Sequence, residues 1–159
     1  MERRAEIHVS SRLRASPEAV WSRAMSAEGI NDELGPVFRM TVPRQMGEDL
    51  DLAKVGPGRL GRSWILLFGL LPVDYDDLGL ERIEQGRGFL ERSTMLSQRL
   101  WEHERTIEPA PGGGCTIADR VAWEPRPPFP GRLLRPLFAA VFRHRHRRLR
   151  RHFGAAEII

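Results

Sequence analysis

Three segments decide the fold: Phe89-Leu-Glu-Arg-Ser-Thr-Met95, Trp101-Glu-His-Glu-Arg-Thr-Ile107 and Ile117-Ala-Asp-Arg-Val-Ala-Trp123. Successive strand side chains point to opposite faces. The odd positions collect Phe89, Met95, Trp101, Ile107, Ile117, Val121 and Trp123, while the even positions carry Arg92, Glu102, Glu104 and Arg120. The odd face is therefore predicted to point inward. A polar turn near Ser97 and the run Pro109-Ala-Pro-Gly-Gly-Gly114 separate the segments, which reads as an antiparallel meander. A turn centred near Ser97 sets Glu91 opposite His103 and Ser93 opposite Trp101. One centred near Gly112 sets Arg105 opposite Asp119 and Trp101 opposite Trp123. Glu91, His103, Arg105 and Asp119 then converge on the inner face, where ionisable groups are costly unless compensated. Three readings stay open: a structural Arg105–Asp119 ion pair with a hydrogen-bonded His103, the polar end of a ligand cavity, or acid–base catalysis. His103, Glu91 and Asp119 are the catalytic candidates in the last case.

Upstream, Ile7, Val9, Ser11 and Leu13 alternate with polar residues as in a half-buried strand. Ser16-Pro17-Glu18 is a helix start, and a short helix is expected from Pro17 to about Met25. A second short helix is expected near Glu28–Leu34, ended by Gly35-Pro36, with a strand over Phe38–Val42. Pro43 to Gly58 reads as a loop. Leu60 to Leu71 is apolar on both parities and is predicted to be one strand covered on both faces, followed by a strand over Leu78–Glu84.

Downstream, the proline-rich Pro125–Gly131 connects to a last helix expected from about Leu133 to Phe153, stopped by Gly154. Leu134, Leu137, Phe138, Val141, Phe142, Leu149 and Phe153 share one arc of it. Arg143, Arg147, Arg150 and Arg151 lie opposite and are expected to be exposed. Arg145 falls inside the apolar arc, where it snorkels or reaches an acid at a cavity mouth. The order is strand, two short helices, antiparallel strands, long helix. That is an α+β fold, a curved antiparallel sheet whose one bare face the long helix covers.

The chain has 159 residues, enough for one domain spanning 1–159. It is 41% hydrophobic and 29% charged, which excludes a disordered or collagen-like chain. Cys115 is the single cysteine, so no internal disulfide framework forms, and a reducing, cytoplasmic setting is expected. The longest apolar run, Trp64 to Val73, is far short of the about 20 residues a bilayer span needs. The charged start Met1-Glu-Arg-Arg has no apolar region after it, so no signal peptide is expected. Eight arginines and no acid lie between Arg132 and Arg151, leaving 17 basic against 21 acidic residues elsewhere. The field beyond this helix is therefore weak and mixed. No specific nucleic-acid binding is expected, and at most weak peripheral contact with anionic membrane.

His144 and His146 stand two apart on a helix and make a poor metal pair, so no metal site and no cofactor are expected. Gly56-Pro-Gly-Arg-Leu-Gly61 lacks the Lys-Ser/Thr ending of a phosphate loop. Cys115 faces inward by parity and is expected to be inert.

Ser11-Arg-Leu-Arg-Ala-Ser-Pro-Glu-Ala-Val-Trp21 resembles the opening of START-like domains. Phe89-Leu-Glu91, Trp101-Glu-His-Glu-Arg105 and Cys115-Thr-Ile-Ala-Asp119 resemble the later strands of the same superfamily, and Phe142-Arg-His-Arg-His-Arg-Arg-Leu149 its closing helix. This superfamily (SRPBCC) also includes birch-pollen-allergen-type proteins and polyketide cyclases. The resemblance implies a helix-grip fold with an apolar cavity between sheet and helix. It also implies binding or carriage of an apolar small molecule, a lipid, polyketide or similar, by a monomer or dimer. The alternatives are a polyketide cyclase/aromatase-like enzyme using His103 with Glu91 or Asp119, and an accessory role without ligand. The expected walls are Trp64, Phe68, Phe89, Trp101, Ile117 and Trp123 from the sheet, with Phe138 and Val141 from the helix. Glu91, His103, Arg105, Asp119 and Arg145 supply the polar end, and residues 43–58 gate the mouth.

Overall fold

A computed structural model describes residues 4–47, 51–128 and 131–156. The first three residues of the N-terminal reading, 48–50 of the expected gating loop and 129–130 of the connector lie outside the described residues. Strand β1 (Ala5–Leu13) leads into helices α1 (Pro17–Ala24) and α2 (Ala27–Leu34). Each helix starts on a serine: Ser16 Oγ accepts from Ala19 N at 3.3 Å and Ser26 Oγ from Gly29 N at 3.0 Å. Strand β2 (Phe38–Met40), a 3-10 turn (Arg44–Met46) and the short helix α3 (Leu52–Val55) follow. Strands β3 (Gly58–Leu67), β4 (Leu71–Glu84), β5 (Gly88–Met95), β6 (Gln98–Pro109) and β7 (Cys115–Pro125) then run as a meander into helix α4 (Gly131–Phe153).

The strands form one antiparallel sheet in the order β1-β7-β6-β5-β4-β3-β2. The first strand and the second therefore lie on opposite edges, and α1 and α2 carry the chain across between them. The sheet curls around α4 in the helix-grip arrangement. Its inner side holds Trp101, His103, Arg105 and Ile107 of β6 and Ile117, Asp119, Val121 and Trp123 of β7, all buried. The predicted registers hold: Glu91 faces His103, Ser93 faces Trp101, Arg105 faces Asp119 and Trp101 faces Trp123. Gly88 brings β5 against β6 closely, because a Cβ there would sit 2.2 Å from the Arg105 carbonyl oxygen. The even face points out, but Glu102 on it is also buried. Arginines cover it, with Arg120 Nη2 at 2.6 Å and Arg92 Nη2 at 2.9 Å.

The apolar run from Leu60 to Leu71 is not one doubly covered strand. It turns back at Phe68-Gly-Leu70, and β4 begins at Leu71. Gly69 takes a φ of 73° and Phe68 one of 54°, the left-handed conformation that a tight reversal uses. The hairpin end is bare, with Phe68 67% and Leu70 81% exposed. No helix among the described residues is long and apolar enough to cross a membrane.

Candidate functional site: a cavity between sheet and helix

Between the curled sheet and α4 lies a cavity of about 330 Å³. Leu78, Leu80, Phe89, Met95 and Trp101 form its sheet wall; Leu134, Phe138, Val141 and Phe142 form its helix wall. Ile30, Asn31 and Leu34 of α2 and Phe38 and Met40 of β2 close one side. Phe138 packs edge-on against Trp101 at 5.1 Å and Trp123 at 4.8 Å between ring centroids. Leu137 of α4, half exposed, also lines the cavity.

Of the wall residues expected from the sequence, Phe89, Trp101, Phe138 and Val141 line the cavity, as do Glu91, His103 and Arg145. Trp64 and Phe68 do not. Ser63 and Ile65 are the inward residues of β3 at this level, so Trp64 points outward, 42% exposed. There it meets Tyr75 edge-on at 5.5 Å, with Arg62 over the Tyr75 ring. Phe68 belongs to the bare hairpin end. Ile117 packs with Leu13, Val20 and Leu149 in the neighbouring core, and Trp123 lies beneath Phe138. Arg105 and Asp119 sit behind the wall. Of the segment expected to gate the mouth, residues 43–58, Leu52 of α3 reaches the lining, and Val42 just ahead of it does so too.

The ionic groups behind His103 form one closed network. Arg105 Nε and Nη2 donate to the two oxygens of Asp119 at 2.7 and 2.8 Å. Its Nη1 and Nη2 also donate to Glu33 of α2 at 3.0 and 2.7 Å. Asp119 takes two more contacts, from His103 Nε2 and from His146 Nε2 of α4, both at 2.8 Å. Arg150 donates to Ser11 Oγ at 2.8 Å; the same oxygen lies 2.8 Å from His146 Nδ1, and His146 Nε2 faces Asp119. Arg150 was expected in the exposed stripe; this bond draws it half under the surface, while Arg143, Arg147 and Arg151 are exposed. Arg145 reaches an acid, with Nε 3.5 Å from Glu33 Oε1. Glu33 and His146 are the two members the sequence reading missed. Both stand at helical spacing from apolar neighbours: Ile30, Glu33 and Leu34 on α2, and Phe142, His146 and Leu149 on α4.

A second polar cluster lies in the cavity wall. Glu91 Oε1 accepts from Ser93 Oγ at 2.9 Å, and its Oε2 lies 3.7 Å from His103 Nδ1. Asp76 of β4, also missed because the strand was expected to begin at Leu78, is hydrogen-bonded to Glu91. Asp76 lines the cavity, and its Oδ1 has no hydrogen-bond partner among the described residues.

Burial alone would push each of these carboxyls up. For Asp119, the Arg105 charge and then His103 outweigh burial and hold it well below the usual carboxylate range. Arg105 and Arg145 likewise lower Glu33, and the hydrogen bonds from His103 and Asp76 lower Glu91. Asp76 has no cation to offset burial, and the neighbouring Glu91 charge pushes it further up. Linkage gives the two groups opposite signs. The lowered carboxyls stabilise the fold above their unfolded values, about pH 4, and lose that contribution as pH falls through their folded values. Asp76 holds its proton more tightly folded than unfolded, so its contribution declines as pH rises from about 4 through its folded value. Thermal melts across that range should show both limbs. Asp76→Asn should flatten the high-pH limb and leave the acid limb in place; an unchanged high-pH limb would contradict this account.

A family model described as "Domain of unknown function (DUF8410)" matches residues 11–153. No curated protein matches the chain. Among solved structures, protein CV1439 from Chromobacterium violaceum superposes with a TM-score of 0.71 at 13% identity, over 95% of this chain and 99% of that one. A START superfamily protein from Mycobacterium smegmatis gives 0.66 at 11% identity, over 93% and 96%. The structure of Ara h 8.0201 gives 0.59 at 12% identity, over 92% and 98%. At these identities the likeness is one of fold, and the fold is START-like.

Proposed function

The chain belongs to the DUF8410 family, and we propose that it binds and carries an apolar small molecule between its sheet and α4. The observation that carries this reading is the cavity. It has about 330 Å³ of space, walls of Leu, Phe, Met and Trp, and a few polar groups at one end. That is the make-up of a small-molecule site. A solidly packed interior would have left the helix-grip frame without this space.

The cyclase/aromatase-like alternative is the weaker reading. A general base needs a free lone pair facing its substrate. Both ring nitrogens of His103 face carboxylates, Asp119 at 2.8 Å and Glu91 at 3.7 Å. Asp119 is saturated by Arg105, His103 and His146 and stands behind the cavity wall. This arrangement favours a scaffold over a catalyst.

The ligand is the principal partner in this reading, and the setting is the cytoplasm. The exposed Arg143, Arg147 and Arg151 form a solvated face with at most weak, salt-sensitive attraction to anionic membrane and no specific hold on nucleic acid.

Native mass spectrometry of protein purified without denaturation tests the reading. A bound apolar molecule, released on denaturation, is the expected result. A bare mass that also stays bare when naphthalene-type probes are added would reject it.

A further inference from the structure

We propose that Asp76 and Glu91 are the ligand's polar anchor, selecting apolar molecules that carry a hydroxyl over ethers or hydrocarbons of the same shape. This inference rests on the binding reading above and adds the chemical class of ligand. Asp76 and Glu91 are hydrogen-bonded carboxyls on adjacent strands, both buried and both in the cavity wall. Asp76 Oδ1 has no hydrogen-bond partner among the described residues. Glu91 is fully engaged, by Ser93 Oγ at 2.9 Å on one oxygen and by His103 beyond the other.

The surroundings narrow the choice of ligand. A buried acceptor without a donor is an unmet hydrogen bond, and a ligand O–H placed there meets it. An ether or ketone oxygen brings a second acceptor and leaves Asp76 Oδ1 unmet. A carboxylate brings a charge beside Glu91. Arg145, one of several other polar groups at the wall, has Glu33 at 3.5 Å and the Phe142 ring 5.0 Å from its Cζ; its charge faces Glu33, while its Nε makes no hydrogen bond among the described residues. Leu78, Leu80, Met95 and Ile65 line the cavity with Asp76, and Ser63 stands opposite it on β3.

Calorimetric titration of the full chain with 2-naphthol and with 2-methoxynaphthalene tests this directly. The second has a methyl group in place of the hydroxyl hydrogen and so lacks the donor. The naphthol is expected to bind about tenfold or more tightly, the difference one satisfied buried hydrogen bond makes. Asp76→Leu should abolish the preference. Glu91 keeps Ser93 and His103 in that variant. Asp76→Asn retains an acceptor oxygen and can donate to Glu91, so it should retain the preference. Equal binding of the two probes to the parent protein, or a preference that survives Asp76→Leu, would overturn the proposal while leaving the cavity reading intact. Binding of neither probe would overturn both.

Discussion

An Asp119→Ala protein is expected to melt about 6–20 °C below the parent. The carboxylate is almost wholly buried and accepts from Arg105 twice, from His103 and from His146. Its removal leaves the Arg105 guanidinium, 1% exposed, with Glu33 alone, and strips two imidazoles of their acceptor. Breaking a buried pair from one side costs about 3–5 kcal/mol. In a chain of this size each kcal/mol moves the midpoint by about 2–4 °C. Asp77→Ala is the control. It breaks an ion pair of similar length, Arg62 Nε to Asp77 Oδ1 at 2.8 Å, but a solvated one. Its cost should be about 0–1 kcal/mol. Similar melts for the two variants would mean that Asp119 is hydrated rather than locked.

Phe142→Ala is expected to be nearly as costly, about 3–5 kcal/mol. The ring is 2% exposed and stands where cavity and polar network meet, 5.1 Å from the His103 ring and 6.3 Å from Trp101 by centroids. Arg145 Cζ lies over it at 5.0 Å. Truncation also enlarges the cavity, so bulkier apolar probes should bind the variant better than the parent. Phe68→Ser removes a ring of the same size from the bare hairpin end and should change stability by no more than about 0.5 kcal/mol. A Phe142→Ala protein as stable as Phe68→Ser would show that the helix does not depend on that contact.

The inner face was legible where one strand residue in two is polar. In Trp101-Glu-His-Glu-Arg-Thr-Ile107 the alternation assigns every side chain, and the flanking turns then set which residues meet. Around Trp64-Ile-Leu-Leu-Phe68 every position is apolar or aromatic, so parity carries no information and the reversal at Gly69 was lost. With it went the true start of β4, and with that Asp76. Glu33 and His146 escaped for another reason. A charged or polar residue on an amphipathic helix reads as solvated by default, and only its spacing from apolar neighbours says otherwise. Glu33 meets Arg105 across 72 positions and His146 meets Asp119 across 27, separations no local pattern spans.

The sheet order carries a consequence for how the chain is made. β1 pairs along its whole length with β7, from Ala5 opposite Trp123 to Leu13 opposite Cys115. A ribosome releases the first strand about 100 residues before β7, its neighbour in the sheet, a delay on the order of ten seconds at typical elongation rates. Through that interval Ile7, Val9 and Leu13 have no sheet to join, and the edge they present is open to any other extended chain. Local hairpins such as β5–β6 and β6–β7 close early because their loops are short. The bond from Ser11 through His146 to Asp119 joins β1, α4 and β7, and it cannot form until the last helix has been synthesised. Folding is thus completed from the C-terminal side, and a nascent chain stalled before residue 115 is the form of this protein most in need of a chaperone.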